Sequence, residues 1–98
     1  MSGKDTEVWI ATGDGRDLIR ADMIVVVRLD PGGRLTAQLR DESKVTVTLI
    51  DGQSPEPLPG DFHRRLIRAV GELADSSGAQ VVRAEHDGRV WRWIAEPL

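Results

Sequence analysis

Asp61-Phe62-His63-Arg64-Arg65-Leu66-Ile67-Arg68-Ala69-Val70-Gly71-Glu72-Leu73-Ala74-Asp75-Ser76-Ser77 is the one run of this chain with a clear helical period, and its reading decides the fold. Phe62, Leu66, Ala69, Val70 and Leu73 recur at the three-and-four spacing of a single apolar stripe, while Arg64, Arg68, Gly71 and Asp75 fall on the opposite side. Asp61 stands where an N-cap belongs, its carboxylate expected to accept free backbone N–H groups at the positive end of the helix. Ser76-Ser77-Gly78 closes the run, with Gly78 where helices commonly turn left-handed. An apolar stripe needs a surface to lie on. Everything before and after it reads as strand, so that surface is a sheet.

Working back toward the N-terminus, residues 51–60 hold three prolines and two glycines, which cannot continue a ladder and carry the chain off the sheet edge. Before them, residues 44–50 alternate with Val45, Val47 and Leu49 inward against Thr46 and Thr48, and residues 34–40 alternate with Leu35, Ala37 and Leu39 inward. The short link Asp41-Glu42-Ser43 suits a hairpin between them, and Asp30-Pro31-Gly32-Gly33 is a turn by composition. Residues 23–29 are the most apolar part of the chain. Strict alternation sends Met23, Val25, Val27 and Leu29 one way and Ile24 and Val26 the other, so both faces are hydrophobic. Such a strand is expected to be central and covered on both sides, or to meet a partner on its outer face.

Residues 7–12 alternate as a strand, and the Asp14-Gly15 pair that follows is a hairpin signal, since Gly supplies the positive φ of a tight turn. Counting outward from it sets Ile10 opposite Ile19 and Trp9 opposite Arg20, close enough for the guanidinium to rest on the indole. Residues 1–6 are polar and patternless, and read as a flexible N-terminal tail.

Beyond the helix, residues 80–96 form a second hairpin. Taking Asp87-Gly88 as its turn places Ala84 opposite Trp91 and Val82 opposite Trp93, a platform for the helix, with Arg83 opposite Arg92 on the other face. Two like charges in that position need a carboxylate, water or bound anion between them. The expected fold is α+β: a mainly antiparallel sheet in the order β-β-β-β-β-α-β-β, with one helix packed on one face, forming a single domain over residues 7–98.

Composition narrows the function classes. Ninety-eight residues make one domain, and 40% hydrophobic with 30% charged residues is the make-up of an ordinary soluble protein. The longest apolar run, residues 23–27, is far too short to span a bilayer, and the N-terminus lacks a signal peptide's apolar segment, so no membrane partner is expected and the chain reads as cytoplasmic. Eleven of the thirteen basic residues are arginine, in keeping with a G+C-rich bacterial genome. The absence of cysteine excludes disulfides, thiolate metal sites and a cysteine nucleophile. A net charge of −3 argues against nucleic acid as a partner.

The candidate chemistry is sparse. Arg83 and Arg92, joined by Arg89, could grip an anion in pairs, although Glu85 and Asp87 are at hand to neutralise them. His63 with Arg64, Arg65 and Arg68 could follow a phosphate backbone, but Asp61, Glu72 and Asp75 balance that helix. Neither His63 nor His86 lies in a metal-ligand spacing, Asp14, Asp17 and Asp22 do not match a calcium loop, and Gly13-x-Gly15 lacks the rest of a dinucleotide fingerprint. No catalytic, cofactor-binding or metal-ligating set is therefore assigned. Trp9, Ile24 and Val26 are the candidate interface residues. The sequence thus leads to a non-enzymatic protein-interaction or regulatory module that self-associates as a homodimer or docks a protein partner without a cofactor. The alternative is a nucleic-acid or phosphorylated-ligand binder working through the arginine-bearing hairpin face.

Overall fold

In a computed structural model, which describes residues 7–41, 43, 45–52, 56–73 and 78–98, the chain is an α+β fold of two sheets and one helix. The elements follow in the expected order: β1 (Glu7–Ala11), β2 (Leu18–Arg20), a short 3-10 turn (Ala21–Met23), β3 (Ile24–Leu29), β4 (Leu35–Leu39), β5 (Thr46–Ile50), α1 (Phe62–Glu72), β6 (Ala79–His86) and β7 (Trp91–Pro97). The tail at residues 1–6, Glu42 of the hairpin link, and Asp75, Ser76 and Ser77 at the helix end lie outside the described residues.

The strands divide between two sheets instead of sharing one. β2-β1-β6-β7 form a four-stranded sheet and β3-β4-β5 a three-stranded meander. All pairings are antiparallel except β1 with β6, which runs parallel and joins the two ends of the chain. Ile10, Ile19 and Val82 from the first sheet, Leu35, Ala37, Leu49 and Ile50 from the second, and Phe62 and Leu66 from α1 make one buried cluster. The helix stripe thus closes a core that both sheets supply.

The register of β1 and β2 is the expected one, with Ile10 opposite Ile19 and Trp9 opposite Arg20. The guanidinium of Arg20 lies 5.9 Å from the Trp9 ring centroid. Thr12 braces the loop: its hydroxyl donates to Asp14 Oδ1 at 2.6 Å and accepts the Asp17 N–H, while Asp14 Oδ1 also accepts the Arg16 N–H. The Gly13 N–H donates to the Leu49 carbonyl at 2.6 Å and ties this hairpin to the other sheet.

In the C-terminal hairpin the structure corrects the pairing by two residues. Ala84 faces Trp93, His86 faces Trp91, Arg83 faces Ile94 and Arg92 faces Glu85. The tip is Gly88-Arg89: the Asp87 N–H donates to the Val90 carbonyl, Gly88 takes φ +97°, and the Asp87 carboxylate accepts the N–H groups of both Arg89 and Val90. Glycine at the first corner, not the Asp-Gly pair, sets the turn. A slip of two leaves every side chain on its expected face. The tryptophan platform therefore survives, with Phe62 stacked on Trp93 and edge-on to Trp91.

Asp61 precedes the helix as expected, but its carboxylate makes no capping bond. It pairs at 3.0 Å with Arg65 one turn on, and the Phe62 N–H goes to the Pro59 carbonyl. The helix ends at Glu72, with Leu73 as its last half-turn residue, and Gly78 takes φ +83° at the entry to β6.

Candidate interaction surface

The apolar strand, expected to be central or else to meet a partner on its outer face, is not central but an outer strand. β3 pairs with β4 alone, so its far side carries no neighbouring strand among the described residues. Its alternation is also broken. Ile24 faces Leu39 and Val26 faces Gln38, so two steps on β3 match one on β4 and Val25 is the extra residue of a bulge. Strict alternation would have sent Val25 inward with Val27 and Leu29; instead Ile24 packs with those two against the core, and Val25 stands 51% exposed. Met23, expected to start the strand, belongs to the 3-10 turn and is exposed beside it, and Val26 is exposed as well. A second bulge on β5 puts Leu49 and Ile50 both inward, where alternation allowed only Leu49.

Helix α1 packs beside this strand. Between them runs an apolar groove of about 240 Å³, its floor formed by Ile10, Ala21, Ile24 and Val27, its helix wall by Leu66 and Val70, and its rims by Val25 and Ile67. Ile67 is 62% exposed, amid the exposed Arg64, Arg68 and Gly71. A large aliphatic side chain among charges is a local misfit in the sequence, and it is the signal that marks this rim. Val25 left no such signal, because the bulge that turns it outward arises only when β4 pairs alongside.

The three candidate interface residues separate. Ile24 is half-buried in the groove floor and Val26 is exposed on the same strand. Trp9 lies half-buried on the opposite side of β1 from Ile10, on the outer face of the four-stranded sheet, with its indole N–H enclosed and without a partner among the described residues.

The arginine face is closed by carboxylates. Arg83 Nε bonds Glu96 at 2.9 Å and its terminal nitrogen reaches Glu85 at 3.3 Å; these two partners, Glu96 foremost, hold the guanidinium firmly charged. Arg92 pairs with Asp87 at 2.7 Å. Arg89 sits at the hairpin tip, held there through its backbone. The corrected register places no arginine opposite another, so the like-charge conflict that called for an anion is absent from this hairpin.

Two further clefts open on either side of Ile50 and Trp91, of about 810 and about 410 Å³. The larger borders Thr12, Asp14, Glu85 and His86, whose polar atoms are engaged within the fold: Thr12 with Asp14, Glu85 with Arg83, and His86 Nδ1 with the Gly88 N–H. His86 Nε2 stands 3.9 Å from Glu56, and its ring tilts against Trp91. His63 is half-buried with its Nδ1 unpartnered among the described residues. No cluster of three metal-ligating side chains occurs among those residues, and no helix is long and apolar enough to cross a membrane.

Compared with known proteins, the chain matches no family model, no curated protein and no solved structure. What can be said of its function rests on the surface itself.

Proposed function

We propose that this chain is a non-enzymatic protein-interaction module that receives the apolar face of a partner's helix in the groove between β3 and α1. The observation that carries the reading is the groove itself, an apolar trough whose rims, Val25 and Ile67, stay exposed in the folded chain. Covering each half-exposed aliphatic side chain is worth about 1 kcal/mol, enough to favour association once several are covered together.

A helix suits this site better than a strand. The bulge at Val25 and the charge of Arg28 blunt β3 as a template for strand addition, whereas a trough beside a helix takes side chains spaced one turn apart. At the larger cleft Thr12 is engaged with Asp14, Glu85 with Arg83 and His86 Nδ1 with the Gly88 N–H, which favours a binding role over a catalytic one.

The test is site-specific photo-crosslinking in cells. A photoreactive residue at position 67 or 25 is expected to give a protein adduct, and the same residue at the exposed Leu18 on β2 is not. Absence of any adduct from both groove positions would overturn the proposal.

A further inference from the structure

Apart from the groove, we infer that the chain pairs with a second copy of itself along the free edge of β7, the two strands running antiparallel about a two-fold axis at Ile94. Among the described residues β2, β7, β3 and β5 are the strands that end a sheet. β2 has three residues, β3 carries the bulge at Val25, and β5 carries the one at Leu49. β7 runs for seven residues, in unbroken register with β6 from Trp91 to Pro97. A long, regular edge is the template on which another strand adds. The hydrogen bonds at its two ends say which backbone groups are left over. At the turn the Asp87 N–H donates to the Val90 carbonyl, and past the far end the Leu98 N–H donates to the Ala79 carbonyl. Backbone direction alternates along a strand, so Arg92, Ile94 and Glu96 turn their N–H and C=O groups to β6, while Trp91, Trp93, Ala95 and Pro97 turn theirs outward. Proline, with no N–H to donate, stands in the outward set, where an edge strand admits it.

That alternation limits self-pairing to registers that set an outward residue opposite an outward one. With the axis at Ile94, Trp93 of each copy faces Ala95 of the other and the two exchange both hydrogen bonds, while each Trp91 N–H reaches the carbonyl of the other copy's Pro97. On the inner face a large indole lies beside the exposed methyl of an alanine. On the outer face Ile94 meets Ile94, flanked on each side by Arg92 of one copy opposite Glu96 of the other. Arg92 already faces Glu85 within its own chain, so it comes to stand between two carboxylates. Glu96 spends one carboxylate oxygen on Arg83, and Arg92 one terminal nitrogen on Asp87, so each keeps a further atom for the partner across the join. Neighbouring registers lose this match. An axis at Arg92 opposes like charges, one at Trp93 sets indole against indole and Arg92 against Ile94, and one at Ala95 sets Glu96 against Ile94. A two-fold interface requires a surface complementary to itself, and the register at Ile94 supplies it in charge, size and hydrogen bonds together. None of these residues lines the groove between β3 and α1, so the two surfaces act independently.

Sedimentation equilibrium on the purified chain tests this, and a dimer with dissociation on the order of micromolar is expected. Ala95→Pro removes an N–H that β6 does not use, and should raise the dissociation constant by about tenfold or more with the circular dichroism spectrum unchanged. Arg92→Glu and Glu96→Arg each set like charges across the join at both ends, so each variant alone should sediment as a monomer. Mixed in equal amounts the two should associate, because every pair across the join is then opposite in charge. Any disturbance within either chain is the same alone and mixed, so recovery on mixing reports the join itself. The chain has no cysteine, so Ile94→Cys carries a single thiol, set opposite its own copy at the roughly 4.5 Å Cα separation of a non-hydrogen-bonded pair. Mild oxidation should close it into a covalent dimer, and the same thiol at the exposed Leu18 should not. A monomer at every concentration up to about 1 mM, a dimer indifferent to Ala95→Pro, or a mixture no more associated than its two components overturns the inference.

Discussion

Phe62 and Trp93 are joined twice. Their rings stack with centroids 4.7 Å apart and planes 18° from parallel, and the Trp93 indole N–H donates at 3.0 Å to the carbonyl of Phe62 itself. The first residue of the helix is thus fixed to the last strand through side chain and main chain together. Trp93→Phe keeps an aromatic stack and loses the hydrogen bond, and should cost about 1 to 2 kcal/mol; Trp93→Ala removes both and should cost about 3 to 5 kcal/mol. Urea denaturation of the two variants checks the split. Equal losses would mean that the ring stack contributes nothing, and a near-neutral Trp93→Phe that the hydrogen bond contributes nothing.

The apolar stripe of α1 gives a second prediction. Leu66 is 1% exposed, in contact with both sheets through the common core, so Leu66→Ala should destabilise by about 2 to 4 kcal/mol. Val70, half-buried at the groove wall, should lose less, about 1 to 2 kcal/mol as alanine. Ile67→Ala on the exposed side should stay within about 0.5 kcal/mol in the monomer. The three together map the orientation of the helix by denaturation alone.

Gly33 and Gly52 meet backbone to backbone. A Cβ on Gly52 would stand 2.9 Å from the carbonyl carbon of Gly33, and Gly52 holds φ +77°. Gly15 has a similar φ of +74° with open space around it. Gly15→Ala should therefore cost about 1 to 2 kcal/mol from backbone strain alone, while Gly52→Ala adds displacement of the loop at 30–33 and should cost visibly more. Thermal melts of the two variants separate strain from collision.

Asp14 and Asp87 set an acid limit. The Thr12 hydroxyl first, then the Arg16 N–H, hold the Asp14 carboxyl below the ordinary 3.8, and the Val90 and Arg89 N–H groups do the same for Asp87, against a small opposing effect of desolvation. Both carboxylates are bound more firmly in the folded state than in the unfolded one. Their contribution is complete above the ordinary value and disappears as pH falls through the lowered ones. Stability measured from about pH 5 down to about pH 2 should fall, and Asp14→Asn and Asp87→Asn should each flatten that slope. Carbon NMR of the two carboxyls should show midpoints below 3.8.

The closed arginine face yields a prediction on anions. With Glu85 and Glu96 on Arg83 and Asp87 on Arg92, phosphate or an oligonucleotide should bind weakly at low salt. Glu85→Gln with Glu96→Gln frees Arg83 and should increase that binding, with the steep salt dependence of counterion release. Strong, salt-sensitive binding by the unaltered chain would instead favour a phosphate ligand.

Much of this was legible in the residues. The order of elements, the helix stripe and the Trp9 to Arg20 register followed from short-range patterns, because a loop centred on Asp14-Gly15 fixes its own strands. The C-terminal register did not, because Asp87-Gly88-Arg89 offers two adjacent turns and the Asp87 carboxylate selects the later one by bonding the N–H groups beyond it. Val25 and Ile50 defeated alternation because bulges belong to a pair of strands and not to either one. The parallel pairing of β1 with β6 was beyond reach, since it joins segments some seventy residues apart without a connecting signal. Of the groove lining, Ile24 was among the residues singled out in the sequence, and Ile67 stood in plain view on the polar side of the helix.

That parallel pairing also governs the order in which the chain can fold. β3, β4 and β5 are consecutive and joined by short links, so the meander closes early from local contacts alone. β1 and β2, although made first, have no strand partner but each other until β6 arrives between β1 and β7. On the ribosome the N-terminal hairpin is synthesised well before its sheet can exist, and its apolar residues Ile10 and Ile19 lack the Val82 of their common core over that interval. Ribosome-bound chains stopped before residue 79 are therefore expected to hold a protease-resistant meander and a hairpin still open to cleavage, with protection of residues 7–20 appearing only when the last strands have emerged.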